Sequence, residues 1–118
     1  MTHAYWALST SDPVWHDRIA AADRGFDARD AAVGAPRKEG WPAARLAVMA
    51  ALLRDKFHRN PSIGATLLDT GDARILFADT GSGYWSWGGD RGANWVGRLL
   101  EVMRSELAVL TSYDEKGL

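Results

Sequence analysis

Apolar residues recur along most of the chain at three- and four-residue intervals, the spacing of one face of an α-helix. The clearest segment runs from Trp41 to about Arg59. Its apolar stripe consists of Leu46, Met49, Ala50, Leu53 and Phe57. A second long helix is predicted from Asn94 to about Thr111, with the inward positions Val96, Leu99, Leu100, Met103, Leu107 and Leu110. Each segment can cover a core with one face and meet solvent with the other.

Capping signals predict three shorter helices. Their expected ranges are 13–24, 28–33 and 61–69. Ser11 or Asp12 can cap the first helix, Asp27 the second and Asn60 the third, because each carries a side-chain oxygen that can accept from a free N–H group.

Only the segment Arg74–Ala78 has the composition of a β-strand, with Ile, Leu and Phe in succession. The expected fold class is therefore α+β, mainly α-helical, with a small β element. One compact domain is expected over residues 1–118, and the end of the chain from Tyr113 is expected to fray.

Charge and composition remove several classes of function. The net charge of −1 argues against sequence-independent binding to nucleic acid or to anionic membranes. The absence of cysteine excludes disulfides, thiolate nucleophiles and Cys-type zinc sites. The three histidines lack the spacing of a metal site, so no metal and no cofactor are expected. No basic leader or membrane-length apolar run is visible, which predicts a cytoplasmic protein.

The stretch Gly83–Trp95 concentrates aromatic, glycine and hydrogen-bonding residues directly before the last helix. Glycines such as Gly88 allow positive φ and close approach to a ligand. Asn94 is placed to cap the helix, whose first N–H groups form an anion site. The alternative is a tight turn with aromatic rings that fill the core.

Several side chains of this stretch could contact a ligand. Asp90 and Arg91 could bind hydroxyl or phosphate groups, and Trp85 or Trp95 could stack on a base or sugar. Trp87 could instead anchor a protein–protein interface, since tryptophan and arginine are typical interface residues.

Two more candidates lie outside this stretch. Lys56 follows the apolar stripe at the end of a predicted helix, where its amine could act as a nucleophile or proton donor. A solvated lysine near the negative helix end is the alternative. His3 and Tyr5 belong to an aromatic cluster near the N-terminus, where a histidine either contacts substrate or only packs.

Five motifs in this order resemble the NADAR domain, in a short bacterial form, from about Tyr5 to Leu107. They are Met49…Lys56-Phe57, Asn60, Leu67-Leu68-x-Thr70-Gly71, Tyr84-Trp85, and Gly92-x-Asn94-x-x-Gly97-Arg98-Leu-Leu…Arg104. The shared order is more specific than any one motif.

The resemblance implies an N-glycosidase that cleaves an N-ribosyl bond in an ADP-ribosylated substrate, such as modified guanine, or in a nucleotide-like metabolite. A lysine of the family is thought to form a Schiff base with the anomeric carbon, and Lys56 is the lysine that matches. Asp90 would be the general base or a ribose ligand. The implied substrate-binding residues are His3, Tyr5, Trp85, Gly88, Arg91, Asn94, Trp95 and Arg98.

The chain departs from the family pattern near its N-terminal end. The family motif E-H-Y-F-Q-A-x-K aligns with Thr2–Ser9, so Thr2 takes the acidic position and Ser9 the lysine position. Ser82 and Ser86 replace an acidic residue and a glycine. A catalytically degenerate module that binds ADP-ribose or NAD-type nucleotides without turnover therefore stays open.

The expected partners follow from the same resemblance. They are a small-molecule or ADP-ribosylated substrate, with contact to modified nucleic acid if guanine in DNA is the target. No membrane partner is expected. The oligomeric state, monomer or homodimer, stays open.

Overall fold

The computed structural model describes residues 2–78, 82–88 and 91–115, and all regular secondary structure in these ranges is helical. The helices are α1 (Thr2–Leu8), α2 (Pro13–Ala20), α3 (Gly25–Ala32), α4 (Trp41–Arg59), α5 (Pro61–Asp69) and α6 (Trp95–Glu115). The chain divides into two compact units, Met1–Leu52 and Leu53–Leu118, with the boundary inside α4. No described helix is long and apolar enough to cross a membrane.

Small residues build the core of the first unit, in which α1, α2 and α3 pack on one another. The buried cluster consists of Ala7, Ile19, Ala28, Ala32 and Ala35. Alanine side chains let helix axes approach closely, and this explains how three short helices bury a core. The periodicity did not predict α1, because seven residues are too few for a repeating pattern.

Capping signals predicted the start of α2 but not the start of α3. Of the two predicted caps of α2, Ser11 and Asp12, Asp12 is the one that accepts from the N–H groups of Val14 at 2.9 Å and Trp15 at 3.5 Å. The helix ends at Ala20, earlier than predicted, and α3 begins at Gly25. Asp27, the predicted cap of α3, lies inside its first turn, where its carboxylate accepts from the Arg24 guanidinium at 2.9 Å. Asp27 therefore supports α3 through this ion pair and the helix dipole.

In the predicted apolar stripe of α4, Met49, Leu53 and Phe57 are buried, whereas Leu46 and Ala50 are partly buried. Asn60 precedes α5 but does not cap it. Its Nδ2 instead donates to the carbonyl of Lys56 at 2.8 Å, so this amide satisfies an otherwise open group at the end of α4.

In the second unit, α5 packs against α6. Val96, Leu99 and Met103 of α6 are buried as predicted, whereas Leu110 is 48% exposed. The helix continues to Glu115, past the predicted end at Thr111, and residues 116–118 lie outside the described residues.

The predicted β element is wrong: Arg74–Ala78 is extended but forms no strand, and the described residues are all-α. A strand needs a neighbouring strand to satisfy its N–H and C=O groups. Here the side chain of Asn94 supplies both. Its Oδ1 accepts from the Phe77 N–H at 2.9 Å, and its Nδ2 donates to the Ile75 carbonyl at 2.8 Å.

Candidate functional site

The described residues 82–88 and 91–95, the last of which begins α6, are tied to one another by backbone hydrogen bonds; we call them the aromatic loop. The Ala93 N–H donates to the Gly83 carbonyl at 2.8 Å. The N–H groups of Trp95 and Val96 donate to carbonyls of Tyr84 and Trp85, each at 3.1 Å. These first-turn groups of α6 were predicted to form an anion site, but backbone carbonyls already occupy them.

Glycine is required at two points of the aromatic loop. Gly88 is exposed and has φ 57°, in the left-handed region that glycine adopts without strain. A Cβ at Gly92 would lie 2.0 Å from the Ser86 carbonyl oxygen, so no other residue fits there without moving the backbone. These glycines let the loop fold tightly on itself.

Two serines that depart from the family pattern, Ser82 and Ser86, stabilise the turn over residues 82–86 at the start of the aromatic loop. The Ser82 Oγ accepts from the N–H groups of Tyr84 and Trp85, both at 3.2 Å. Ser86 is 2% exposed, and its hydroxyl donates to the Ser82 carbonyl. Short hydroxyl side chains thus make an ST-type turn that sets the start of the loop.

The aromatic rings of the loop form a half-buried cluster. Tyr84 meets Trp85 edge-on with ring centroids 4.6 Å apart, and lies 6.2 Å from the ring of Trp95. The exposed guanidinium of Arg98 lies 4.7 Å from the Trp95 ring, a cation–π contact. The structure therefore brings together three predicted ligand-binding residues, Trp85, Trp95 and Arg98.

Asn94, unlike the half-buried rings, is fully enclosed by the protein. It is 2% exposed and has φ 55°, the one non-glycine residue with positive φ among those described. Its side chain bonds to the segment of Ile75 and Phe77, and its N–H donates to the Ser86 carbonyl at 2.9 Å. The predicted cap of α6 thus uses its side chain elsewhere.

Of the two predicted catalytic residues, only Lys56 lies within the described residues. Lys56 lies in the last turn of α4 with an exposed side chain. Among the described residues, this side chain forms no hydrogen bond or ion pair. Asp90 lies outside the described residues. Arg91 is exposed, and its N–H donates to the Gly88 carbonyl at 3.4 Å.

His3 and Tyr5 belong to the first unit. The His3 Nε2 lies 2.6 Å from the Ala22 carbonyl, and since a carbonyl only accepts, this nitrogen carries the proton. Tyr5 is 4% exposed and packs between Trp6 and Trp41, with ring centroids 4.9 and 5.3 Å away. Tyr5 is therefore a core residue of that unit.

Ser9, at the family's lysine position, is fully buried. Its hydroxyl donates to the Trp6 carbonyl at 2.6 Å, and its own carbonyl accepts from the Lys38 N–H at 2.8 Å. The side chain satisfies the end of α1 and has no basic group to offer a substrate.

Arg104 and Thr70 belong to the family motifs, and the sequence alone predicts no role for either side chain. Arg104 is 9% exposed, and its Nη1 donates to the Thr70 Oγ1 and the Ala73 carbonyl, both at 2.8 Å. The Thr70 hydroxyl in turn donates to the Leu67 carbonyl at 2.6 Å. Membership in the motifs was the only signal for these two residues in the sequence. The motif spacing does not show which groups the arginine binds.

The ion pair of Arg54 and Glu106 changes the pKa values of both groups. The Arg54 guanidinium makes two hydrogen bonds of 3.0 Å with the Glu106 carboxylate, and this bonding lowers the pKa of Glu106. No group of three His, Asp or Glu in the described ranges could hold a metal ion.

Comparison with known proteins gives one family. The NADAR domain model matches residues 3–108. The N-glycosidase YbiA of Escherichia coli strain K12 is 33% identical over 75 residues, which are 63% of this chain and 47% of that protein. The riboflavin biosynthesis protein VVA0006 of Vibrio vulnificus is 33% identical over 79 residues, 66% of this chain and 22% of the relative.

The fold matches a solved structure as well. The NMR structure of E. coli YbiA aligns with a TM-score of 0.84 and 26% identity, covering 93% of this chain and 67% of that one. The chain spans 47% of the YbiA sequences it matches, about half of their length.

Proposed function

We propose that this chain, which belongs to the NADAR domain family, is an N-glycosidase-type hydrolase that cleaves an N-ribosyl bond in an ADP-ribosylated or nucleotide-like substrate. The name of the YbiA relatives, N-glycosidase, supports the type of bond. The structural observation that carries the proposal is the half-buried cluster of Trp85, Tyr84 and Trp95 at the entrance of α6.

The cluster suits the base of such a substrate, because indole rings stack on purine and pyrimidine faces. The N–H groups of Trp95 and Val96 are occupied, so phosphate recognition falls to guanidinium groups instead. Arg91 and Arg98 are both exposed and belong to this region. Guanidinium groups bind phosphate through paired, charge-assisted hydrogen bonds.

Lys56 is the proposed nucleophile. Its Nζ lone pair bonds to the anomeric carbon while the C–N bond breaks. The base leaves with the electron pair of the broken C–N bond and takes up a proton released from Nζ. Transfer of the remaining Nζ proton to the ring oxygen opens the ribose and leaves an imine, and one water molecule then returns the free amine and the sugar aldehyde. Asp90 is the proposed general base for that water.

Turnover by single-lysine variants tests this role. The chain has three lysines, and Lys38 is exposed like Lys56. ADP-ribosylated DNA and ribosylated metabolites would be assayed for released base. Lys56→Ala should abolish release, whereas Lys38→Ala should leave it unchanged.

A covalent trap tests the same step directly. Borohydride reduces an imine to a stable amine, so wild-type protein incubated with substrate should gain the mass of the sugar on Lys56. The Lys56→Ala variant should gain none. Full turnover by Lys56→Ala would refute the role of this lysine and leave the N-glycosidase proposal to another residue.

A second candidate is a module that binds ADP-ribose without turnover. The observation that favours it is Ser9, buried and bonded to the Trp6 carbonyl where the family has a lysine. Calorimetry should then show ADP-ribose binding with no release of base from any substrate. Trp85→Ala should weaken that binding and Trp85→Phe should retain most of it, since phenylalanine keeps a ring for stacking. Absence of any heat with ADP-ribose would contradict this candidate.

A further inference from the structure

Four residues at and after the entrance of α6 meet the same segment of the chain. Asn94 directly precedes the helix, and Gly97, Glu101 and Arg104 follow at spacings of four and three positions, which places these three on one side of α6. We call them the polar stripe. Every one of them contacts backbone atoms or a capping hydroxyl of the segment 70–77, so the stripe and the segment form one structural unit.

The first two residues of the stripe, Asn94 and Gly97, meet the segment at Ile75 and Phe77. Asn94 donates to the Ile75 carbonyl at 2.8 Å and accepts from the Phe77 N–H at 2.9 Å. The segment lies so near the helix that a Cβ on Gly97 would be 2.2 Å from the Ile75 oxygen. Glycine at this position is what allows the Asn94 amide to reach both groups.

The last two residues of the stripe, Glu101 and Arg104, also bind polar groups of the segment. The Glu101 carboxylate accepts from the Ile75 N–H at 3.4 Å. Arg104 donates to the Ala73 carbonyl at 2.8 Å and to the Thr70 Oγ1 at the same distance. Side chains of one helix therefore satisfy N–H and C=O groups that a neighbouring strand would satisfy in a sheet.

The segment also connects the stripe to the aromatic loop. The Phe77 carbonyl accepts from the Trp87 N–H at 2.9 Å, and the Asn94 N–H donates to the Ser86 carbonyl at 2.9 Å. Asn94 thus joins three parts of the second unit: the extended segment, the aromatic loop and the start of α6.

We propose that the polar stripe takes the place of a β-strand partner for residues 73–77, and that Asn94 is a positioning residue that holds the aromatic loop in its ligand-binding conformation. Asn94 acts through the loop and does not contact the substrate. The positioning role rests on the function proposed above; the role of the stripe in the fold does not.

Asparagine fits this position for two physical reasons. Its φ of 55° lies in the left-handed region, which asparagine tolerates better than other non-glycine residues. Its side-chain amide has one acceptor and one donor group, as a peptide group does. Aspartate would keep the acceptor for Phe77 but place a charged oxygen against the Ile75 carbonyl, and glycine would keep the φ but lose both hydrogen bonds.

Amide hydrogen exchange of the ligand-free protein, measured by NMR, tests the stripe without any activity assay. In Asn94→Gly the Phe77 amide should exchange about fivefold faster, the ratio that corresponds to loss of one hydrogen bond with a net strength of about 1 kcal/mol. In Asn94→Asp, which retains the acceptor, the Phe77 amide should stay protected. An unchanged exchange rate of the Phe77 amide in Asn94→Gly would overturn the proposal that the stripe replaces a strand partner.

Affinity for ADP-ribose tests the positioning role, with Thr70→Val as the matched control. Thr70→Val removes the hydroxyl that Arg104 meets at the far end of the stripe but leaves the bonds of Asn94 in place. Both variants should lower the unfolding temperature. Asn94→Gly should also weaken ADP-ribose binding at least tenfold well below that temperature, whereas Thr70→Val should bind as wild type does.

Two results would overturn the positioning role. One is wild-type affinity in Asn94→Gly despite faster Phe77 exchange. The other is weak binding by Asn94→Asp with the Phe77 amide still protected and the aromatic-loop amides unshifted, which would make Asn94 a direct ligand contact. If wild-type protein neither binds ADP-ribose nor releases base, the proposed function fails, while the exchange data still decide whether the stripe exists.

Discussion

Replacing Gly97 by alanine is a stringent test of how closely the extended segment packs on α6. The added Cβ would lie 2.2 Å from the Ile75 oxygen and 2.5 Å from both polar atoms of the Asn94 side chain. Ordinary contact of a Cβ begins near 3.4 Å, so helix and segment must separate by about 1.2 Å. The backbone oxygen cannot rotate away as a flexible side chain could.

The cost follows from the hydrogen bonds that this separation breaks. The bonds of Asn94 to Ile75 at 2.8 Å and to Phe77 at 2.9 Å would both be lost. Each contributes about 1 kcal/mol net, and forced repacking adds about 1–3 kcal/mol. The better helix propensity of alanine returns about 1 kcal/mol. The expected net loss is about 2–4 kcal/mol, or roughly 10–15 °C in Tm for a chain of this size.

Gly64→Ala is the matched control, because it makes the same substitution inside another helix of the second unit. There the added Cβ would lie 3.5 Å from the Leu107 Cδ1, an ordinary contact. Gly64→Ala should therefore be neutral or stabilise the protein by up to about 1 kcal/mol.

Urea unfolding followed by tryptophan fluorescence measures both variants. The predicted result is opposite signs: a lower midpoint for Gly97→Ala and an equal or higher one for Gly64→Ala. A Gly97→Ala midpoint equal to that of wild type would refute the close approach of Ile75 to α6. Equal losses in both variants would show that the effect is not specific to the segment.

Two further predictions concern single side chains. Asp12→Ala should lower the free energy of unfolding by about 1 kcal/mol, because the N–H groups of Val14 and Trp15 lose their acceptor, and Asp12→Asn should restore most of it in the same urea assay. The Arg54 hydrogen bond lowers the pKa of Glu106, so this pair stabilises the fold above the unfolded-state pKa and loses that contribution as pH falls through the lowered folded pKa. Both side chains are about two-fifths exposed, so Glu106→Gln should lower the free energy of unfolding by less than about 1 kcal/mol at neutral pH. The variant should also flatten the acid limb of a curve of stability against pH. An unchanged acid limb would contradict the assignment.

Much of the helical framework could be predicted because its causes are local. The stripe through Met49, Leu53 and Phe57 indicated α4, and the Asp12-Pro13 pair indicated the start of α2. Periodicity reports which positions share a face, and a cap involves residues only two or three apart. The aromatic loop was identified in the same way, from its composition and its place before α6.

The errors arose where a group had several available partners and the local pattern did not decide among them. Arg74–Ala78 has strand composition, but composition does not reveal whether a second strand exists to pair with it. Asn60 and Asn94 both stand directly before a helix, and both were predicted as caps. Each directs its amide elsewhere, Asn60 to the Lys56 carbonyl and Asn94 to Ile75 and Phe77.

The sequence by itself determined where the long helices run, which faces they bury and which family motifs the chain carries, because these depend on spacing along one chain. Only the tertiary structure decided that residues 73–77 take a helix side chain in place of a strand, and that the first N–H groups of α6 are occupied. Hydrogen-bond partners 19 residues apart, as for Asn94 and Ile75, are chosen by how segments meet in space. Capping and periodicity do not extend that far.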